Sequence, residues 1–293
     1  MRRWIAAAVL LLALLCAGCG AEQAQEPVQE LPEEPSFREG ESVLLSLEAP
    51  LSDGRTLTLE AVGKELDEYM AGVREVRVYH GEMLLQTVSA REGIEKEWGE
   101  GGAEEFYDYT ECWSPEETMT VLDLNFDGST DFGLFSGPAN NTIPYYYWTW
   151  DAETEQYRFA CILQGAEVHS ETKEVSAFHK GGFGGANYQT DYYQLDEEGI
   201  LYLVRQERTI YGFAPNEDSD GGGTVETWVP REGVVIRPRP DDLWEEPDLT
   251  LIRRTVPLYE VDAQNRISYF LETWEPVDGE LQLVSREPYS HEN

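Results

Sequence analysis

Short runs of alternating apolar and polar residues, each broken by turn residues, recur along most of this chain. Ser42–Glu48 sets Val43, Leu45 and Leu47 on one side, the period of two that a half-buried strand imposes. Thr56–Ala61 repeats the pattern after the turn pair Asp53-Gly54. Arg74–Tyr79 and Met83–Val88 flank His80-Gly81-Glu82, a hairpin signature. Tyr145–Trp150 and Gln156–Leu163 flank a turn that starts at Asp151. Tyr192–Asp196 and Ile200–Gln206 flank Glu197-Glu198-Gly199, and Val256–Asp262 and Arg266–Glu272 flank Ala263-Gln264-Asn265. The last of these strands extends to Glu275 and pairs with Glu280–Arg286 around Asp278-Gly279. The one place read as a short helix or turn is Gly63–Ala71. Such a chain folds as antiparallel β-structure.

Three of the hairpins share a layout in which aromatics lead to an Asp, a short turn and an aliphatic strand. Asp151, Asp196 and Asp262 hold the equivalent place, at uneven spacings of 45 and 66 residues. Hairpins at such intervals suit the blades of an irregular propeller. The expected fold is therefore all-β and propeller-like, with a β-sandwich as the alternative. Polar, Gly-rich 216–223 and Pro-rich 230–247 read as irregular stretches.

The first residues have the layout of a secretory leader. Arg2 and Arg3 precede the 12-residue apolar stretch Trp4–Leu15, which is too short to span a bilayer. Ala17-Gly18-Cys19 resembles the lipobox of bacterial lipoproteins, although Cys16 stands where that motif usually has Leu. The resemblance implies removal of residues 1–18, acylation of Cys19, and a two-chain anchor sufficient for stable membrane attachment. Residues 19–40 read as an acidic, disordered tether with Pro27, Pro32 and Pro35. About 20 residues of coil reach roughly 25 Å. A folded domain is expected over 41–290, in the cell envelope and outside the cytoplasm.

Charge narrows the partners. The net value of −36 becomes −38 once Arg2 and Arg3 leave. Nucleic acid needs Lys and Arg against its phosphates, so it is excluded as a partner. Electrostatic adhesion to anionic lipid is disfavoured too, which leaves the lipid anchor as the only membrane contact. A cationic protein is the complementary partner.

The strongest chemical motif is Asp123-Leu-Asn125-Phe-Asp127-Gly128-Ser129-Thr-Asp131. Oxygen-bearing side chains fall at positions 1, 3, 5 and 9, with Gly at 6. Calcium takes six to eight oxygens, and alternate residues of a tight loop can turn three side chains inward. Gly128 permits the turn, the Ser129 carbonyl supplies position 7, and Asp131 closes the ring. Leu134 stands at position 12 and the flanks are strands, so this is not an EF-hand. The expected ion is structural Ca²⁺. The bland alternative is an Asx-rich turn closed by its own hydrogen bonds.

The loop resembles the calcium loops of FG-GAP and integrin-type propeller blades. With Tyr145–Asp151, Val76–Tyr79, Leu84–Val88 and Gly181–Ala186, it resembles a family of secreted bacterial lipoproteins of propeller-like β fold. The best-known member of that family is an immunity protein that inhibits a lysozyme-like effector of a type IV secretion system. The likeness runs from about Val73 to Arg208. It implies the fold, the loop and the envelope location and, more remotely, inhibition of a cell-wall hydrolase. No partner-contacting residue carries over.

Other constellations were weighed. Cys112 and Cys161 would enclose the loop if bonded, a bridge worth about 4 kcal/mol by the chain-entropy estimate; the alternative is two buried thiols. Tyr146, Trp148 and Trp150 fall on one strand face and could stack on sugar rings; the alternative is core packing. Gly181–Gly185 lacks the Lys-Ser/Thr and helix of a phosphate loop. No nucleophile elbow or catalytic triad stands out. The expected function is a non-catalytic binding lipoprotein, an inhibitor or immunity factor against a cationic cell-wall hydrolase, with a wall-fragment binding module as the alternative.

Overall fold

A computed structural model describes residues 36–105, 108–137, 144–180, 187–196, 198–210, 223–238 and 248–288. The expected leader, Cys19, most of the expected tether and Gly181–Gly185 lie outside the described residues. The chain is all-β, in three antiparallel sheets.

Sheet 1 has the order β1 (Ser42–Pro50), β2 (Thr56–Glu65), β3 (Ala71–His80), β4 (Met83–Ser89), and β5 (Thr110–Cys112) also pairs with β3. Sheet 2 is β6 (Met119–Leu122), β7 (Asp131–Phe135), β8 (Pro144–Asp151), β9 (Gln156–Gln164). Sheet 3 is an eight-stranded meander. Its strands are β10 (Glu167–His169), β11 (Glu174–Lys180), β12 (Asn187–Leu195), β13 (Leu201–Ile210), β14 (Thr224–Pro230), β15 (Leu249–Val261), β16 (Ile267–Val277) and β17 (Glu280–Pro288).

The expected hairpins form. Gly63–Ala71 holds a turn and no helix: Gly63–Glu65 close β2, residues 66–70 turn back with the Leu66 N–H donating to the Met70 carbonyl at 2.8 Å, and Ala71 opens β3.

Sheet 2 is the middle layer, and its sequence shows why. Phe132, Leu134, Tyr146, Trp148 and Trp150 face sheet 1, where they meet Leu57, Leu59, Val76 and Val78. Tyr147 and Leu163 turn to the other side and meet Val175, Ala177, Tyr193 and Leu203 of sheet 3. A strand covered on both faces cannot keep a polar side, so β7 is buried along its whole length. Gly133 is part of this fit: a Cβ there would fall 2.5 Å from the Tyr147 ring. Trp148 stacks on Phe132 at 5.2 Å between centroids, and Tyr157 meets Phe132 edge-on at 4.9 Å. Such pairs add stability beyond area burial.

One helix forms that the sequence reading did not expect. α1 (Ala90–Glu105) begins after Ser89, whose Oγ accepts the Arg91 N–H, and its helical geometry breaks at Gly99. Ala90 and Ile94 enter the first core. Gly93 lies flat on the Tyr146 ring, where a Cβ would come within 2.3 Å of a ring carbon. Glu92 accepts the Trp148 indole N–H at 2.9 Å, and Glu97 accepts the Tyr146 hydroxyl. The helix thus satisfies the two polar atoms that the aromatic strand would otherwise bury alone.

Residues 36–40, read above as the end of a tether, make specific contacts. Phe37 lies under the Arg77 guanidinium at 4.4 Å, and Arg38 pairs with Asp108 at 2.7 Å. Glu41 binds Arg74 and accepts the Tyr109 hydroxyl at 2.7 Å. Residues 36–40 therefore belong to the folded body.

Sheet 3 is held differently. Along one face, polar and charged side chains link strand to strand. His179 of β11 lies 3.1 Å from Asp191 of β12. Asp191 accepts Gln206 of β13, beside which stands Arg208. Arg208 pairs in register with Glu226 of β14, and Glu226 takes Arg254 of β15 at 2.6 Å. Glu272 of β16 and Arg286 of β17 stand opposite each other, 3.7 Å apart at their charged atoms. The Arg208 and Arg286 guanidinium groups lie over Trp228 and Phe270. Cross-strand pairs of opposite charge favour one register and penalise a slip.

Candidate functional site

The Asp123–Asp131 loop joins β6 to β7, and Leu122 pairs with Asp131 at its base. The side chains of Asp123, Asn125 and Asp127 meet on backbone amides of the loop. The Asp127 N–H is shared by Asp123 Oδ1 and Asn125 Oδ1, each at 3.1 Å. Asp123 Oδ2 accepts the Gly128 N–H at 3.1 Å. Asp127 Oδ1 accepts the Ser129 N–H at 2.7 Å, and its other oxygen takes the Asn125 amide at 3.0 Å. Gly128 has φ of 82° and Phe126 has φ of 60°. The left-handed region suits glycine; for Phe126 it costs about 1 kcal/mol, offset by packing of its ring against the second core.

Asp131 departs from the expected ring. Its Oδ2 accepts the Leu124 N–H and its Oδ1 the Trp150 N–H, both at 2.8 Å, and the residue is fully buried. Burial pushes its carboxyl up to about 7, with smaller contributions from the charges of Asp127 and Asp123, while the two amides pull the other way. Among the described residues, no three His, Cys, Asp or Glu side chains gather as a metal cluster. Asp131 is thus a clamp holding the loop to β8, and Asp123, Asn125 and Asp127 form a separate group above it. In the structure the loop is closed by its own hydrogen bonds.

The loop also fastens sheet 2 to sheet 1. Ser129 Oγ lies 2.9 Å from Ser52 Oγ, and the Thr130 N–H and Oγ1 both donate to the Pro50 carbonyl, at 3.0 and 2.8 Å. Tyr157 OH donates to the Thr130 carbonyl at 2.8 Å. Ser129 therefore contributes a hydroxyl contact that the motif alone does not announce. These anchors mark the loop as structural.

For two other constellations the structure agrees with the second of the two readings given above. Tyr146, Trp148 and Trp150 are 1%, 0% and 3% exposed. They share one strand face as predicted, but sheet 1 covers that face, so no ring is open to a sugar. Cys112 and Cys161 are free thiols. Cys112 packs with Ala71 and Phe135 and donates to the Ala71 carbonyl at 3.2 Å, whereas Cys161 lies against the second core. Burial raises both thiols, to about 11 and about 12, which makes them poor nucleophiles.

The charged surface has a simple accounting. Each arginine among the described residues is engaged by a carboxylate or, for Arg208, by Gln206 and the Trp228 ring. Lys64, Lys96 and Lys173 lie over aromatic rings. The 57 acids outnumber the 21 basic residues, so the uncompensated charge is acidic. No family model matches the chain, and no curated protein matches it.

Proposed function

We propose that the protein is a membrane-tethered, extracytoplasmic binding protein without catalytic activity, whose partner is a cationic protein such as a cell-wall hydrolase that it inhibits. The observation that carries this is the charge accounting. With the described arginines tied to acids or rings, the surface offers a field of one sign. Such a field steers a basic partner, raises its association rate and repels nucleic acid and anionic lipid. The test is titration of the full chain into a panel of cationic muramidases at low and moderate salt. Binding that weakens with salt, with loss of lytic activity, supports the proposal; no binding at either salt overturns it.

The lipid anchor at Cys19 belongs to the same proposal and is checked by mass spectrometry of the envelope fraction. Asp123, Asn125 and Asp127 would hold a structural Ca²⁺. Two of their oxygens already meet at one N–H, and the donor set of two carboxylates and an amide carbonyl suits a hard cation. When bound, the ion supplies charge neutralisation within the loop. Asp131 keeps the loop seated through its two amide contacts. Calcium should raise the melting temperature and a chelator lower it, and Asp127→Ala should abolish the difference.

In architecture, the proposal extends to a propeller-like arrangement. It is supported by antiparallel meanders that follow one another along the chain, β1–β4, β6–β9 and the longer β10–β17, with sheet 2 packed on both of the others.

A further inference from the structure

Sheet 3 changes character across its width. β11–β13 lay apolar side chains on sheet 2, but among the described residues of β15–β17 only Leu249, at the start of β15, packs against a hydrophobic core. On one face of these three strands the register sets Val261 opposite Ile267, Leu271 opposite Glu287 and Val277 opposite Glu280. The four apolar residues are 37% to 55% exposed. A stripe of this kind along a sheet is a surface that gains by being covered.

Its charges say what can cover it. Arg253, on the same face, is held by Glu275 at 3.0 Å. Arg254, Arg266 and Arg286 are likewise bound to carboxylates. Glu280 and Glu287 have no cation beside them among the described residues. The face is therefore apolar toward the end where Val261, Ile267 and Leu271 lie, polar across Thr273 and Glu275, and negative at its β17 margin.

We propose that this face of β15–β17 is the docking surface for the cationic partner, resting on the cationic-partner reading above. The fitting occupant is a folded basic protein that sets apolar side chains on Ile267 and Leu271 and Lys or Arg against Glu280 and Glu287. Interfaces gain most where apolar anchors are ringed by polar groups that exclude water. A second copy of the chain fits poorly, because each copy carries −36 and brings the same acids. An anionic bilayer is repelled for the same reason.

The experiment measures affinity of the full chain for the muramidase panel with three paired variants. Ile267→Lys with Leu271→Lys should weaken binding about ten-fold or more. Glu280→Gln with Glu287→Gln should weaken it several-fold and flatten its salt dependence. Glu116→Gln with Glu117→Gln, on the 3₁₀ turn Pro115–Glu117, should leave it unchanged. Circular dichroism melts confirm that each variant folds. Three outcomes overturn the docking face: wild-type affinity in the lysine pair, equal loss in both glutamine pairs, or a dimer in sedimentation that the lysine pair dissociates. If the wild-type chain binds no member of the panel, the cationic-partner reading fails first and the docking face falls with it.

Discussion

Sheets 1 and 2 and the far half of sheet 3 are written in the same alternating pattern, yet different forces hold them. Between sheets 1 and 2 a continuous apolar and aromatic core excludes water, and its few polar atoms find named partners such as Glu92 and Glu97. In β14–β17 the side chains are mostly half-exposed, and strands are matched by a ladder of single charges. The first region earns its stability from area and packing. The second depends on backbone pairing and register, with modest gains per ion pair. The proposed docking face lies on the half-covered surface, whereas the first region is already committed to itself.

The sharpest way to break this comparison is to truncate one tryptophan in each region. Trp148→Ala should cost about 3–5 kcal/mol, because it empties a sealed core and leaves Glu92 without its donor. Trp274→Ala, on the half-covered strand β16, should cost about 1 kcal/mol. Equal costs, measured by urea unfolding, would mean that the two regions are not different in kind.

Asp131→Ala should come next, at about 2–4 kcal/mol, since two buried amides lose their acceptor. Its titration also has a defined sign. The folded carboxyl titrates at about 7 against an ordinary 3.8, so the folded state binds the proton more tightly. Stability of the calcium-free protein should therefore fall as pH rises from about 4 to 7 and level off above. Asp131→Asn should flatten that slope, as followed by melts in chelator. A slope that survives in the Asn variant would clear Asp131 of responsibility.

Glu226→Ala removes the partner of Arg254 and Trp228 and should cost about 1–2 kcal/mol. Its effect should appear as faster amide exchange in β14 and β15 and leave sheets 1 and 2 untouched. The smallest effect belongs to Glu41. Arg74 beside it, with the Arg38 amide and the Tyr109 hydroxyl, holds its carboxyl at about 2, well below the ordinary 4.5. Its contribution is complete above pH 4.5 and is lost as pH falls towards 2. Glu41→Gln should cost about 1 kcal/mol at neutral pH, and its melting curve should converge on that of the wild type near pH 2.

The hairpins were legible in the sequence because period and turn chemistry are local. β15 to β17 could be read from Asn265 and Asp278-Gly279 alone, and both Asn265 and Asp278 adopt the positive φ that such turns need. The shared face of Tyr146, Trp148 and Trp150 was also readable. What was not readable is which side water occupies, because sheet 1, far off in sequence, covers it. α1 escaped for the same reason: few apolar residues mark it, and its ties reach 56 residues to Trp148 and 49 to Tyr146. The loop's spacing pointed to Asp123, Asn125 and Asp127, which share backbone amides of the loop, but could not show that the Trp150 amide would claim Asp131. Loop-closure entropy gave the worth of a Cys112–Cys161 bond without placing the two sulfurs together. The charge ladder sits one residue per strand, so no window along the chain displays it.

Hydrogen exchange of the full chain, alone and saturated with a cationic muramidase from the panel, tests most directly the division into a sealed core and an open binding sheet. The expected result is new protection across β15–β17, with exchange in the buried strands β2, β3, β7 and β8 unchanged. Protection confined to sheets 1 and 2, or no change anywhere in the saturated complex, would contradict it.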